Sequence, residues 1–378
     1  MTTWILMPKN KEALCIFTRI LGGKTFSTLL ESAIREIPNI NVSTLNFEES
    51  DYEVAPTPKY LTLSSITNSS FAIKYKVRTA KLNLDDYDFL LFQSYHLAAP
   101  FKSEISKKPT LIALDSTPQL ANAGRLKASP LRKIMKSALI KIFDVTLFNP
   151  IFKNTDVFLA RTQQVKDSLV NTYNVPPDRI LVTYIPTITS RPVRKSPHEK
   201  HKLLFVGNDF KRKGGPFIVT VFNQFLAGKA ELIIVSTDSC APSYACKDIK
   251  VINGMPRDEL LELYKECSIF LFPSWHDELG LALCEAISAG MAIISRDITA
   301  QHEIVQTGFN GALLPYNSNE KDWGLAVLKL LDSPEAIEKY RMHSYQKAEL
   351  LLSNNKFQDN VNQAINKLAG RPEKSKRN

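Results

Sequence analysis

Short runs of consecutive apolar residues recur along this chain, each bounded by turn signals and followed by a helical pattern. Strands that read as continuous apolar runs are buried on both faces, as in a parallel sheet covered by helices. On this reading the strands of the first half are Trp4–Met7, Val42–Leu45, Phe89–Phe92, Thr110–Leu114, Val157–Ala160 and Ile180–Thr183. Those of the second half are Leu203–Val206, Leu232–Val235, Lys250–Ile252, Ile269–Phe272 and Ala292–Ile294. Between the halves, Ile188 to Lys202 carries two prolines, several basic residues and little periodicity, the pattern of an interdomain linker. The expectation is an α/β protein of two doubly wound domains, residues 1–195 and 196–350. A helical pattern runs from Ala336 to about Lys367 and could pack on either domain, with residues 351–370 as a C-terminal helix that could pack back on the first. The basic end, residues 371–378, reads as a disordered tail.

With 378 residues the chain exceeds one ordinary core, in agreement with two domains. Its hydrophobic content of 44% and charged content of 23% are those of a globular protein. No apolar run reaches the roughly 18 residues of a membrane span. The first residues, Met1 to Met7, lack a basic region and a cleavage site, so the expected compartment is the cytoplasm. The five cysteines are odd in number and scattered, which argues for a reducing compartment and against a disulfide framework or zinc site. A net charge of +10 fits an anionic partner: a nucleotide diphosphate, an anionic lipid or a nucleic acid. No stacking-aromatic or base-reading motif accompanies the charge, so nucleic acid is the weakest of the three.

Pro273 to Glu285 is the most informative segment for chemistry. An apolar strand ends in a turn, two acids (Asp277 and Glu278) precede Gly280, and a helix rich in small residues follows, with its start expected near Leu279. Such a turn presents backbone N–H groups and the positive end of a helix dipole to a phosphate. Carboxylates beside it suit sugar or ribose hydroxyls. Asp277 alone reads as an acidic N-cap, but Glu285 falls within the apolar pattern of Leu281, Leu283 and Ala286 and is not explained that way. Upstream, a buried strand ends at Gly207 and Asn208, and the triplet Lys211, Arg212 and Lys213 precedes two glycines. Glycine lets backbone approach an anion and the cations suit a diphosphate, although an ordinary strand–turn–helix with a solvated loop has the same look. Gly254 closes another strand in what reads first as a normal βα connection, where backbone could still border a nucleotide base. Glu303 stands before an apolar pair, with Gly308 and Gly311 flanking what reads as a hairpin-like turn.

These segments occur in one order: Lys213-Gly214-Gly215, Pro273-Ser274, Gly280-Leu281, Glu285-Ala286, Gly290, Glu303-Ile304-Val305 and Gly308 to Gly311. In that order the second half resembles the retaining glycosyltransferases of family 4, over roughly residues 200–316; the first half resembles them loosely. The resemblance implies the GT-B architecture, two Rossmann-like domains facing a central cleft. It also implies transfer of a hexosyl-type sugar from a nucleotide-diphosphate sugar to a hydroxyl of a glycan or lipid-linked acceptor, with retention and without a metal or other cofactor. Arg212, Lys213 and the backbone at Gly280 and Leu281 would stabilise charge on the diphosphate. Asp277 or Glu278 would face the sugar and Glu285 the ribose, with Gly207, Asn208, Gly254, Leu279 and Glu303 completing the donor side. Two departures stand out. The family's first Glu is Asp277, one methylene shorter, with Glu278 beside it. The family's Arg after Gly207 is Asn208.

In the first half, His96 follows a buried strand, and the family often carries a His there, near the reacting sugar. Asp115 occupies a similar but weaker position. Gly22-Gly23-Lys24 lacks dinucleotide-motif spacing, and Asp86-Tyr87-Asp88 resembles a metal-binding pair but sits in a solvated turn. Leu131, Ile134, Met135, Ala138, Leu139, Ile142 and Phe143 form an apolar stripe flanked by Arg132, Lys133, Lys136 and Lys141. It reads either as a core-packed helix or as a surface helix for peripheral association with an anionic inner membrane face. The competing reading is a catalytically weakened sugar-nucleotide or membrane-surface binding protein of the same fold.

Overall fold

The computed structural model describes residues 10–19, 22–48, 50–51, 73, 76–77, 80–123, 148–187, 201–371 and 374. The expected strand Trp4–Met7 and the apolar stripe 131–143 lie outside the described residues. The chain divides into two compact units, one of residues 1–184 with 357–378 and the other of residues 185–356.

The first unit holds six parallel strands in the order β2-β1-β3-β4-β5-β6. They are β1 (Lys11–Thr18), β2 (Ile40–Phe47), β3 (Phe89–Phe92), β4 (Thr110–Leu114), β5 (Val157–Ala160) and β6 (Ile180–Val182). Every residue of β3, β4 and β5 is buried, as continuous apolar runs require. β1 was not expected: its run opens with the polar pair Lys11-Glu12 and turns apolar only from Ala13. Helix α1 (Gly22–Arg35) follows β1, and α2 (Gln163–Tyr173) follows β5.

The second unit repeats the plan with the order β12-β11-β10-β7-β8-β9, again all parallel. Its strands are β7 (Lys202–Val206), β8 (Glu231–Val235), β9 (Ile249–Ile252), β10 (Ile269–Phe272), β11 (Ala292–Arg296) and β12 (Gly311–Leu314). Helices α3 (Gly215–Val221), α4 (Arg257–Glu266) and α5 (Leu281–Ser288) follow β7, β9 and β10. α6 (Glu320–Leu331) and α7 (Pro334–Leu351) complete the unit. The turn expected between Gly308 and Gly311 is present at residues 308–310, but it leads into β12, which runs parallel to β11 and so forms no hairpin; a side chain at Gly311 would collide with the carbonyl of Ile293. Each sheet is a doubly wound, Rossmann-like α/β layer.

The single helix expected from Ala336 to Lys367 is two. α7 ends at Leu351, and α8 (Asn354–Ala369) starts after a break at Leu352 and Ser353. The unit boundary precedes the expected linker because Thr187 is already tied to the second unit. Its N–H donates to Leu352 O (3.2 Å), and its hydroxyl lies 3.1 Å from Cys284 O and 2.7 Å from Ser288 Oγ. α8 packs in the first unit, with Phe357 edge-on to Phe26 and Gln358 donating to Ala33 O. The expected disorder from 371 onward fails at two positions. Arg371 and Lys374 lie 3.0 and 2.8 Å from the carboxylate of Asp156, a buried acid that requires counter-charge.

Candidate functional site

In an open parallel sheet, ligands sit outside the carboxyl ends of the strands where the strand order reverses. In the second unit that point lies between β7 and β10, and the loops leaving those two strands carry most of the residues singled out by sequence.

The loop after β7 is drawn tight by sterics. Asp209 O and Lys211 O accept from Lys213 N and Gly214 N at 2.9 and 3.1 Å. Gly214 has φ +84° and lies so close to the Pro273 carbonyl that a side chain would collide with it. Only glycine is at ease there, and that approach joins the two loops. Lys213 Nζ donates to Asp277 Oδ2, both side chains being mostly buried (19% and 14% exposed). Lys213 also packs over Gly207 and lies 5.9 Å from the Phe272 ring centroid. Of the two acids left open by sequence, Asp277 is the one whose carboxylate meets Lys213. The Arg212 guanidinium lies at the surface, bonded to Asp209 Oδ2 and His276 O, each at 2.6 Å, and Arg212 O accepts from Trp275 N at 2.9 Å.

The loop after β10 is held from below. The Thr299 hydroxyl donates to the Asp277 and Glu278 carbonyls, and the Gln301 amide donates to the same Glu278 carbonyl at 2.8 Å and to Leu279 O at 3.4 Å. Gly280 (φ +88°) turns the chain into α5, which begins at Leu281 rather than near Leu279. A side chain on Gly280 would stand 2.6 Å from the Phe272 ring, so glycine sets where the helix starts. Behind the loop lies Arg296, fully buried at the end of β11. Its guanidinium stacks 3.8 Å from the Trp275 ring centroid and lies near Phe217, Trp323 and Tyr316, while donating to Pro273 O and Tyr316 O. Burial pushes this guanidinium down to about 10, so it stays charged at neutral pH.

Glu285, on the first turns of α5, is 5% exposed. Its Oε2 accepts from the Tyr264 hydroxyl (3.2 Å), and Oε1 lies 2.8 Å from Arg257 Nη2. Burial pushes the carboxyl above its ordinary value against the pull of Arg257 and Tyr264. Burial likewise holds the Tyr264 phenol well above its usual range, with Glu285 adding to the effect.

At the ends of β7, β8 and β9, Asn208 Oδ1 accepts from Thr237 N (3.4 Å), and a methyl on Gly254 would lie 3.3 Å from Thr237 Cγ2. Glu303 is half-buried in the turn Gln301–Ile304 and acts on Lys347, whose ammonium is pushed down by burial and partly restored by that acid.

His96 belongs to the first unit, at the corresponding switch point between β1 and β3. Ser94 caps its short helical turn, and the ring lies 4.0 Å from that of Tyr95. Gln93 bonds Thr18 N and Gly23 O across the same point. Asp88 is engaged by Lys11 and Glu12 N; burial opposes them, but together they hold its carboxyl below the usual range. Asp115 lies 3.6 Å from Arg161. Among the described residues no group of three or more His, Cys, Asp or Glu is arranged to hold a metal ion. No disulfide joins the five cysteines.

Sequence reasoning missed Arg257, Tyr264, Arg296, Thr299 and Gln301. Arg257 and Tyr264 carried a usable signal, since positions i and i+7 share a helix face. Thr299 and Gln301 carried none, because they act on backbone carbonyls of a distant loop.

Two doubly wound sheets, with a cationic glycine loop against an acidic turn at the second switch point, define the GT-B glycosyltransferase class of fold. Solved structures agree. Sucrose-phosphate synthase from Thermosynechococcus elongatus superposes with a TM-score of 0.73 at 14% identity, covering 95% of this chain and 99% of that one. HepE of Anabaena, solved in complex with UDP-glucose, gives 0.66 at 12% identity, over 95% and 100% of the chains. Residues 187–349 match the family model described as glycosyl transferases group 1. The O-antigen chain mannosyltransferase of Salmonella typhimurium is 23% identical over 342 residues, 84% of this chain and 90% of that protein. These likenesses are all to glycosyltransferases and support that class of enzyme.

Proposed function

We propose that this protein transfers a hexosyl-type sugar from a nucleotide-diphosphate sugar to a hydroxyl of a glycan or glycolipid acceptor, with retention at the anomeric carbon. The observation that carries the reading is the meeting of Lys213, Asp277 and the glycine-led start of α5 at the switch point of the second sheet. A diphosphate placed there would take charge stabilisation from Lys213, from Arg212 at the rim and from the N–H groups at Gly280 and Leu281. The departing diphosphate then accepts the acceptor's proton, so that no protein nucleophile or metal is required. Asp277 is assigned to the sugar through its bond to Lys213, with Glu278 beside it shaping the turn. Glu285 takes the ribose, the backbone near Gly254 and Asn208 borders the base, and Glu303 completes the donor side. His96 is assigned to orient a hydroxyl of donor or acceptor.

A panel of UDP-, GDP- and ADP-sugars scored by thermal shift identifies the donor, and proton NMR of the product reads the anomeric configuration. A product of inverted configuration would contradict retention while leaving sugar transfer in place. Peripheral membrane association is proposed on charge alone; failure to co-sediment with anionic liposomes at low salt would remove it.

A further inference from the structure

Glu285 is the assigned ribose contact, and its surroundings give a role to a residue that no motif marks. The acid is 5% exposed while the Arg257 side chain above it is 50% exposed, so the pair spans from interior to solvent. The two carboxylate oxygens are not equivalent. Oε2 is taken by the Tyr264 hydroxyl, which is itself fully buried on α4. Oε1 lies 2.8 Å from Arg257 Nη2 in an ion pair that takes one side of this oxygen, and its second lone pair is left for a ligand. A buried carboxylate oxygen with spare acceptor capacity gains from a ligand hydroxyl.

We propose that Arg257 is a positioning residue for nucleotide binding: it keeps Glu285 a carboxylate with Oε1 as an open acceptor for a ribose hydroxyl, while Tyr264 fixes the other oxygen. The proposal rests on the donor-site reading above. The physical need is plain. Burial drives the carboxyl toward its neutral form, and Arg257 is the cation acting against it. Tyr264 keeps its proton and donates throughout. The other neighbours do not replace Arg257. Arg341 of α7, which packs against α5, is committed to Glu338 and to Gly290 O. Phe270 of β10 lies against the Tyr264 ring, and Cys284 only raises the phenol further. Without Arg257, Glu285 would take up a proton nearer neutrality and present a hydroxyl where the ribose needs an acceptor.

The test is calorimetric titration with UDP, GDP and ADP, and with the 2′- and 3′-deoxy forms of whichever binds, between pH 6 and 9. For Arg257→Ala we expect binding weakened about tenfold at pH 7, the order expected when a buried carboxylate loses a charged partner. The loss should shrink toward pH 9, and the variant should discriminate poorly between ribose and deoxyribose at pH 7. Arg257→Lys should restore most of the affinity, and melting curves confirm that both variants fold. A loss that is the same at every pH and for every sugar form overturns the proposal and makes Arg257 a phosphate contact or a structural residue. If Glu285→Gln still weakens binding in that case, the nucleotide site itself stands. If Glu285→Gln binds all three nucleotides as the native chain does, the ribose assignment fails and the proposal with it.

Discussion

At the scale of single residues, the acids of the candidate site differ in how far they were legible. Glu285 announced itself because a carboxylate within an apolar helical pattern has no cheap structural explanation, and it is indeed buried. Asp277 and Glu278 were indistinguishable in sequence, since only the fold decides which one meets Lys213. Arg257 and Tyr264 went unrecognised because their partner comes from another helix. Glu285 also makes a stability prediction. Its folded-state carboxyl titrates above its unfolded value, so the native chain holds that proton more tightly. The resulting contribution to stability is fully present below the unfolded value and is lost as pH rises through the folded one. Glu285→Gln lacks this dependence. Urea denaturation across pH 3 to 8 should therefore show the native protein losing stability relative to the variant as pH rises, then levelling off. A difference that is flat across the range would contradict the buried, destabilised carboxylate.

At the scale of elements, continuous apolar runs were read well, and β3, β4, β5 and β10 have the expected bounds. β1 escaped because its polar start hides the run, and β12 because it opens on Gly311 directly after the turn at Gly308. The end of β11 hid more. Arg296 continues a strand as if toward solvent, yet it is buried among Phe217, Trp275, Tyr316 and Trp323. Among the described residues no carboxylate lies within ion-pair distance of it, and its Nη2 has no hydrogen-bond partner. Its work is to bond the carbonyls of Pro273 and Tyr316, fixing the start of the loop that carries Asp277. Arg296→Met keeps the aromatic packing and removes both donors. It should cost about 2 kcal/mol, the order expected for buried carbonyls losing charged donors, measured by urea denaturation. An unchanged midpoint would show that those carbonyls do not depend on the guanidinium.

At the scale of the whole molecule, the chain leaves its first unit after Tyr184 and returns to it from Phe357, a path that local patterning suggested only in part. The helical pattern marked α8, but its docking partners Phe26 and Ala33 lie more than 300 residues earlier. The basic end looked solvated because nothing nearby in sequence pairs with it. Its partner is Asp156, bonded also to Thr110 N; burial opposes ionisation, but Lys374, Arg371 and that N–H hold the carboxyl below its ordinary value. That contribution is present above the unfolded value and is lost as pH falls through the folded one. Truncation after Gly370 strands the buried acid and should destabilise the first unit by about 3 kcal/mol, with much of the loss recovered by adding Asp156→Asn. Differential scanning calorimetry at neutral pH distinguishes this from a tail whose removal leaves melting unchanged.

Charge stabilisation for a departing diphosphate is assigned to Lys213, and turnover of the identified nucleotide sugar by Lys213→Ala tests that assignment. Release of nucleoside diphosphate should fall by roughly a hundredfold or more, as when a preorganised charge stabiliser is removed, while the variant keeps the melting behaviour of a folded protein. Near-native turnover by a folded Lys213→Ala would show that Lys213 does not stabilise the leaving group.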